Sequence, residues 1–410
     1  MQLLPYYLFG DVEMKKILLL FLTFTLVISV FSGCGKDSSK SKKVESNKIN
    51  YSDTYVFGQD MQNNLFHQEY NNICESKDSY YYLGNGFVYV IDKKSHKCQP
   101  LCNKTDCLHD KETSDDKIEK CNAFFGSSMC DNIAYYMNNL YYINSRAIKD
   151  DEGEHSVYDF YKSSLDGTTK EKLMTLKNDY LYTFTVHRGY IYYSCENNDS
   201  DSPGRCLYRI PVNCDKKQIE EVLKYYKYPE STVENYYFYG NNIYLKILSS
   251  NNNRYYFIKY NLDNGKWKDL NKNLKVTVED FVIFNDKIVF CDDSYTKLYE
   301  CDLNGNGKKK VLNMPKPNVK KEKYYHPHTD GRYLIVTSAS ASPNDKFMYY
   351  DKNYKLVGTY KMPFAFSPLG ICGSNAFIYK ADDGSLYYID MTKLSDKNKA
   401  EKVYKLSPDQ

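Results

Sequence analysis

The chain has 410 residues, enough for one large domain or two or three ordinary ones, and 42% of them are hydrophobic, which suffices for a packed core. The formal net charge is only +3, so the sequence lacks the strong basic excess typical of nucleic-acid-binding proteins, and we expect no nucleic-acid partner. Tyrosine is abundant, with 44 residues against one tryptophan, and tyrosine favours half-buried β-strands.

Residues 14–34 (MKKILLLFLTFTLVISVFSGC) have the pattern of a bacterial lipoprotein signal peptide. Two lysines precede an apolar run that is short for a membrane-spanning helix, and the segment ends in Ser-Gly-Cys. This ending resembles a lipobox, with Phe31 where leucine is usual. The resemblance implies that Cys34 carries a diacylglyceryl group and becomes the mature N-terminus. A buried strand or an uncleaved anchor is the alternative.

We therefore expect residues 1–33 to be a signal peptide, with translation starting at Met14. Residues 34–50 then comprise the lipidated Cys34 and a flexible tether, because they are polar and lack apolar periodicity. On this interpretation the protein is anchored by a lipid to the extracytoplasmic face of the cell membrane. The membrane is then its one expected partner besides an unidentified ligand.

From residue 51 onward, short runs rich in Tyr, Ile and Phe recur between turns rich in Asn, Asp and Gly. The unit at residues 234–270 shows the pattern most clearly, as a four-stranded antiparallel meander. Seven units can be traced, and their second strands contain Tyr81, Tyr141, Tyr192, Tyr244, Val289, Leu334 and Phe377. After the first step, these positions are separated by 43 to 52 residues, close to the ~40–50 residues of propeller blades.

No segment of the mature chain carries a sustained helical apolar stripe, so we expect few helices. So many antiparallel strands need their sheet edges closed or buried, which radial packing of blades achieves. The sequence therefore predicts an all-β protein with a single β-propeller over residues 51–410. Seven four-stranded blades should run from about residue 73 to 407. Two smaller β-domains are the alternative.

The repeated units have the form IYY…LYRI…DG…KKL, best seen in residues 191–193 with 207–210 and in residues 158–173. They resemble a bacterial propeller family related to the YWTD propellers of lipoprotein receptors. The YWTD signature itself is absent, so the resemblance implies the fold and not a receptor-type ligand. No activity is assigned to that family.

A dense group of potential metal ligands lies in an insert at residues 98–125, between the first and second units. It contains Cys98, Cys102, Cys107, His109 and Cys121. Three thiolates and an imidazole suit tetrahedral Zn²⁺, and we take Cys102, Cys107, His109 and Cys121 as the candidate ligands. We favour, by a small margin, one or two disulfides that staple an external loop, which an extracytoplasmic location permits, and free thiols are the third alternative. Either way we expect a structural role, in a loop that aspartates such as Asp110 would otherwise keep solvated.

Two further pairs are candidate sites. Cys195 and Cys206 flank a polar hairpin tip in the third unit, so they should lie opposite one another and could form a disulfide, with two separate thiols as the alternative. His326 and His328 fall where the innermost strand of the sixth unit should line the channel. Residues at i and i+2 share one side of a strand, so they are a candidate metal or catalytic pair, although Pro327 is equally consistent with a loop.

The sequence contains no G-x-S-x-G, H-E-x-x-H, P-loop or dinucleotide-binding motif. We therefore predict a non-catalytic binding or scaffold module for a protein, peptide or glycan, with no cofactor; a structural Zn²⁺ in the insert is the alternative. One alternative is an extracytoplasmic polysaccharide hydrolase or lyase with its site over the channel. The other is a metal-dependent sensor that uses the Cys/His insert.

Overall fold

The computed structural model describes residues 52–62, 72–126, 132–150, 153–177, 181–196, 205–222, 231–249, 252–316, 325–338, 346–361, 376–381, 383–392 and 400–407. The chain divides into units at residues 1–48 and 49–410, and the fold below is that of the second unit. The predicted signal peptide, Met14 and Cys34 lie outside the described residues. No helix in the described part of the chain is both long and apolar enough to span a membrane.

Seven antiparallel sheets form a β-propeller, as predicted. Blades 1 and 2 contain β1 (Ile73–Glu75), β2 (Ser79–Gly84), β3 (Phe87–Asp92), β4 (Cys98–Pro100), β5 (Ile133–Tyr136), β6 (Asn139–Asp150), β7 (Gly153–Ser164) and β8 (Lys170–Lys177). Blades 3 and 4 contain β9 (Leu181–His187), β10 (Tyr190–Glu196), β11 (Arg205–Pro211), β12 (Glu220–Glu221), β13 (Ser231–Tyr239), β14 (Asn242–Ser249), β15 (Arg254–Asn261) and β16 (Trp267–Asp269).

Blades 5 and 6 continue the same order of strands. They contain β17 (Asp280–Phe284), β18 (Lys287–Cys291), β19 (Lys297–Cys301), β20 (Lys309–Asn313), β21 (Tyr325–Thr329), β22 (Leu334–Ser338), β23 (Lys346–Tyr350) and β24 (Leu356–Lys361). The described part of blade 7 contains β25 (Ala376–Lys380), β26 (Ser385–Asp390) and β27 (Glu401–Lys405). The described helices are short: α1 (Asp115–Glu119), α2 (Asn271–Leu274) and 3-10 turns at His109–Lys111 and Lys216–Gln218.

The predicted second strands are confirmed in blades 1 to 6, where each predicted position lies in the second strand of its sheet. These strands are apolar on both sides because each blade packs against its two neighbours. Tyr244 and Phe257 of blade 4, for example, share one hydrophobic cluster with Phe281 and Ile283 of blade 5. Tyrosine suits such interfaces, since its ring fills the space between sheets and its hydroxyl still finds a polar partner.

Polar contacts also link some neighbouring blades. Arg209 of blade 3 donates to the carbonyl of Leu262, in the turn between the third and fourth strands of blade 4, at 3.1 Å. Tyr244 of blade 4 donates to the carbonyl of Leu303, in the corresponding turn of blade 5, also at 3.1 Å. The outer turns thus fasten neighbouring blades to one another.

Residues 52–62, here called the N-terminal strap, pack against the turns that join the first and second strands of several blades. The Met137 N–H of blade 2 donates to the Gly58 carbonyl at 2.9 Å, and the Arg188 N–H of blade 3 donates to the Gln59 carbonyl at 2.7 Å. The strap therefore crosses one end of the propeller rather than adding a strand to a blade.

A buried ion pair fixes the strap. Arg188, which is 2% exposed, contacts Asp60, which is 1% exposed, with Nε–Oδ1 and Nη2–Oδ2 distances of 2.6 and 3.1 Å. The same guanidinium donates to the carbonyls of Ser52 and Thr54. Because a buried charge is costly unless it is paired and hydrogen-bonded, this arrangement requires the strap to be in place.

His187, the residue before Arg188, also contacts the strap. Its Nδ1 accepts a hydrogen bond from the Met61 N–H at 3.0 Å, and its Nε2 lies 2.9 Å from the Gly240 carbonyl. An acceptor and a donor on one ring are both available only in the neutral imidazole. Complete burial accordingly lowers the pKa of His187 to about 3.

Candidate metal centre

The Cys/His insert leaves the first blade and returns to the same strand. The Leu101 N–H donates to the Val88 carbonyl, and the Val88 N–H donates to the Ala123 carbonyl, both at 2.8 Å. The Phe125 N–H then donates to the Gly86 carbonyl at 2.8 Å. The two ends of the insert are therefore held side by side on β3.

The interior of the insert is apolar, which brings its cysteines inward. Ile118 on α1 and Cys121 just after it are 7% and 2% exposed, and both belong to the hydrophobic cluster of blade 1. Cys102 and Cys107 pack against the same cluster. Burial of this small core therefore gathers the sulfur atoms at one place.

The four predicted ligands converge. Donor atoms of Cys102, Cys107, His109 and Cys121 all lie within 4.8 Å of one another, and His109 Nδ1 is 3.7 Å from Cys121 Sγ. Typical zinc–sulfur and zinc–nitrogen bond lengths place a nitrogen and a sulfur about 3.6 Å apart across a tetrahedral site. The donor set and its spacing thus fit a metal ion such as Zn²⁺.

The favoured disulfide interpretation fits this arrangement less well than the metal site does. It would leave His109 outside the sulfur cluster, whereas the imidazole lies among the sulfur atoms. The three sulfurs of the cluster are present as thiols in this structure. Cys98, the remaining cysteine of the insert, lies in β4 opposite Ile91 and is not one of the four converging residues.

The pKa values of Cys102 and Cys121 are shifted in opposite directions. For Cys102, burial acts to raise the pKa, but the backbone N–H groups of Lys104 and Asn122 and the neighbouring thiols outweigh it, so the pKa is lowered. For Cys121, burial dominates and raises the pKa to about 12. Zinc binds the thiolate form, so binding must displace a proton from Cys121.

Lys170 of blade 2 lies beside the cluster. Its Nζ donates to the carbonyls of Cys121 and Phe124 at 3.2 and 2.5 Å. Three thiolates around one Zn²⁺ carry a net charge of −1, which an adjacent ammonium group offsets. The sequence did not identify Lys170, because its partner carbonyls are about fifty residues away in the chain.

Asp110 follows the candidate ligand His109 and is held inside the insert, although its charge would otherwise favour solvent. It is 3% exposed and accepts hydrogen bonds from Tyr89 Oη, Tyr404 Oη and the Ser407 N–H at 3.1, 3.0 and 3.2 Å. Three donors compensate the carboxylate for its lost water, which is why this acidic residue can be buried.

The other predicted pairs lie elsewhere in the propeller. Cys195 in β10 and Cys206 in β11 are directly opposite one another, and both are buried. His326 and His328 lie on β21, so the strand alternative is confirmed over the loop. His326 Nδ1 is 3.1 Å from Asp280 Oδ2. Within the described residues, the two histidines are not part of a group of three or more metal donors.

Comparison with known proteins shows the fold and no family. No known protein family and no curated protein matches this sequence. Among solved structures, a prolyl endopeptidase is similar with a TM-score of 0.53 and 11% identity, over 82% of this chain and 50% of that one. The chain therefore spans about half the length of that peptidase. At this identity the likeness supports the β-propeller fold alone.

Two other solved structures match with lower scores. A manganese-bound oligogalacturonate lyase has a TM-score of 0.44 and 10% identity, over 65% of this chain and 73% of that one. The acylaminoacyl peptidase of Pyrococcus horikoshii has a TM-score of 0.43 and 12% identity, over 78% and 50% of the respective chains. The resemblance to YWTD-related propellers remains an interpretation of the sequence.

Proposed function

We propose that this chain is a zinc-stabilised β-propeller that is lipid-anchored through Cys34 on the extracytoplasmic face of the cell membrane. It binds a protein, peptide or glycan without catalysis. The convergence of Cys102, Cys107, His109 and Cys121 carries the zinc assignment. Four protein ligands fill a tetrahedral shell and leave no open position for a substrate, which is typical of structural rather than catalytic zinc.

Metal analysis of the purified full chain tests the zinc assignment. We expect about one zinc per chain, lost in Cys107→Ser because one of the four ligands is removed. Cys98→Ser is the matched control, since it alters a nearby cysteine that is not among the four donors, and it should retain the metal. A metal-free protein whose mass is lower by two hydrogens for each bridge would support disulfides instead.

The binding role is supported by a polar surface at the end of the propeller opposite the strap. The inner strand β17 begins there with Asp280, which pairs with His326. Beside it, Lys246 Nζ lies 3.0 Å from Glu279 Oε2. All four side chains are between 12% and 20% exposed, so they are accessible and at the same time held by their partners.

Aromatic rings surround these charged pairs. Lys246 Nζ lies 4.3 Å from the centre of the Tyr255 ring, which is 37% exposed. The Tyr295 ring centroid is 5.4 Å from that of His326. Exposed aromatic rings next to orienting polar groups are the surface that peptides and glycans commonly use.

Crosslinking in intact membranes, followed by capture of the protein, tests this surface. We expect Lys246→Ala combined with His326→Ala to reduce the recovery of partner at least several-fold without lowering the melting temperature by more than a few degrees. Lys266→Ala, on a turn at the opposite end of blade 4, is the control and should capture normally. Equal recovery from both variants would exclude this surface. Release of fragments from an added polysaccharide would favour the enzyme alternative.

A further inference from the structure

The first and last blades meet without a shared strand in the described part of the chain. The described sheet of blade 7 contains only β25, β26 and β27, and that of blade 1 contains only β1 to β4. A strand exchanged between them would join the two sheets by a continuous hydrogen-bond ladder. Here, within the described residues, side chains and single backbone groups make the connection instead.

The centre of this joint is Asp110, which belongs to the Cys/His insert. It accepts hydrogen bonds from Tyr89 of blade 1 and from Tyr404 and Ser407 at the C-terminal end of blade 7. The rings of Tyr89 and Tyr404 are also in contact, with centroids 5.0 Å apart. Asn85 in blade 1 adds a hydrogen bond to the Ser407 carbonyl at 2.9 Å. One buried carboxylate thus connects both ends of the ring.

The candidate metal cluster is next to this carboxylate in the chain. Asp110 and the candidate ligand His109 are consecutive residues of the 3-10 turn His109–Lys111. His109 has a φ of +56°, in the left-handed region that residues other than glycine rarely adopt. Because His109 and Asp110 are adjacent in the chain, a bond from the His109 ring to a metal would also restrain Asp110.

The insert is also attached to blade 2. Lys170 donates to two of its carbonyls, and Gly167 approaches it so closely that an added Cβ would lie 2.6 Å from the Asn122 carbonyl oxygen. The insert therefore contacts blades 1, 2 and 7, and the four metal donors lie within it.

Blades 1 and 7 also share a buried hydrophobic cluster that includes Ile378 and Leu406. We propose that the metal centre is a clasp whose occupancy determines how firmly β27 of blade 7 is held against blade 1. This inference rests on the proposed zinc site. Bound Zn²⁺ holds His109 and therefore Asp110 at the joint. Removal of the ion leaves the insert without its central cross-link, so Asp110 releases Tyr404 and Ser407 and the C-terminal strand loosens. The attachment of β27 then responds to the available zinc.

Amide hydrogen exchange on the full chain, with zinc bound and after chelation, tests the clasp. We expect removal of zinc to accelerate exchange in β27 by about tenfold or more, since local opening exposes its amides. Exchange in β14, on the far side of the ring, is the internal reference and should remain unchanged.

A variant that weakens the contact between Asp110 and blade 7 but keeps the metal donors tests the clasp independently of metal binding. Tyr404→Phe removes one hydrogen bond to Asp110 and none of the four metal donors, so it should still bind one zinc. The difference in β27 exchange between its zinc-bound and chelated forms should be smaller than in the wild type. Tyr350→Phe, which alters a tyrosine of blade 6, is the matched control and should behave like the wild type.

The possible results distinguish the two proposals. If zinc is bound stoichiometrically and removed by chelation while exchange in β27 stays the same, the clasp is wrong and the zinc site stands. If the full chain binds no zinc under reducing conditions, both are overturned. If β27 and β14 accelerate equally, zinc stabilises the whole fold and the clasp is again wrong.

Discussion

His109 Nδ1 lies 3.7 Å from Cys121 Sγ, although twelve residues separate them in the chain. If the imidazole is a metal ligand, His109→Ala should lower zinc affinity, and the variant should lose its metal to a chelator that leaves the wild type loaded. His96→Ala is the control, because this histidine stacks on Tyr388 at the joint but is not a donor of the cluster. Retention of zinc by His109→Ala would assign the site to the sulfurs alone.

Gly240 tests the attachment of the strap. Its φ is +56°, and a Cβ at this position would meet the backbone carbon of Asp53 at 2.4 Å. Gly307 has a similar φ of +69° with nothing within 4 Å. Replacement by alanine should cost about 1–2 kcal/mol at either position for the left-handed backbone. Gly240→Ala should lower the free energy of unfolding by more than Gly307→Ala does, because its new Cβ would displace the strap at Asp53.

Chemical denaturation of the two variants measures that difference, and limited proteolysis shows where it arises. Cleavage within residues 52–62 should become faster in Gly240→Ala than in Gly307→Ala. Equal free energies of unfolding for the two variants would show that the strap adjusts without cost.

His187 makes stability depend on pH. Burial lowers its pKa to about 3, whereas the unfolded value is about 6.5. Between these two pH values, His187 is therefore protonated in the unfolded chain and neutral in the folded chain. Stability present above about pH 6.5 is lost as the pH falls towards 3, by about 1.4 kcal/mol for each pH unit.

His187→Gln removes this titration while an amide oxygen and N–H replace the two ring nitrogens. The free energy of unfolding, measured between pH 7 and pH 5, should fall less steeply in the variant than in the wild type. Parallel curves would mean that His187 binds a proton equally well in the folded and the unfolded chain.

The sequence is consistent with a disulfide between Cys195 and Cys206 or with two separate thiols, and both residues are present as thiols in this structure. Directly opposed residues of antiparallel strands have Cα atoms about 4.5–5.5 Å apart, within the range that a disulfide spans. Peptide mapping without reduction should find the two linked in protein isolated from its native compartment. Cys291 and Cys301 provide the control, because the register pairs them with Leu298 and Ile288 instead of each other.

Lipidation at Cys34 is a separate prediction. Mass spectrometry of the membrane fraction should find a mature N-terminus at a diacylglyceryl Cys34, and Cys34→Ala should release the domain or leave its precursor uncleaved. A mature protein that retains a peptide beginning at Met1 would contradict both the start at Met14 and the processing site.

The fold could be predicted because the signal was local and repeated. Tyr141, Tyr192 and Tyr244 each sit in a short apolar run between turn residues, and the blade spacing follows directly from these positions. The Cys/His ligand set was also visible, since its four residues fall within one short segment. The choice between metal and disulfide depended on where the His109 ring points, which spacing does not specify.

The burial of charged residues could not be predicted in the same way. Asp60, Asp110 and Arg188 are each nearly inaccessible, although charged side chains are normally exposed. Their partners lie more than one hundred residues away for Asp60 and nearly three hundred for the Asp110–Tyr404 contact. No local pattern encodes such pairings, which arise only when the ring brings distant blades together.

The strap has a mechanical consequence. A pulling force applied to the chain before Ser52 reaches the propeller along the strap, where the hydrogen bonds to Met137 and Arg188 and the Asp60–Arg188 pair share the load. At the C-terminal end of the strap, Gln62 Oε1 accepts a hydrogen bond from the Glu75 N–H at 2.7 Å, so part of the force is also carried by blade 1. Tension is thus distributed over hydrogen bonds to blades 1, 2 and 3.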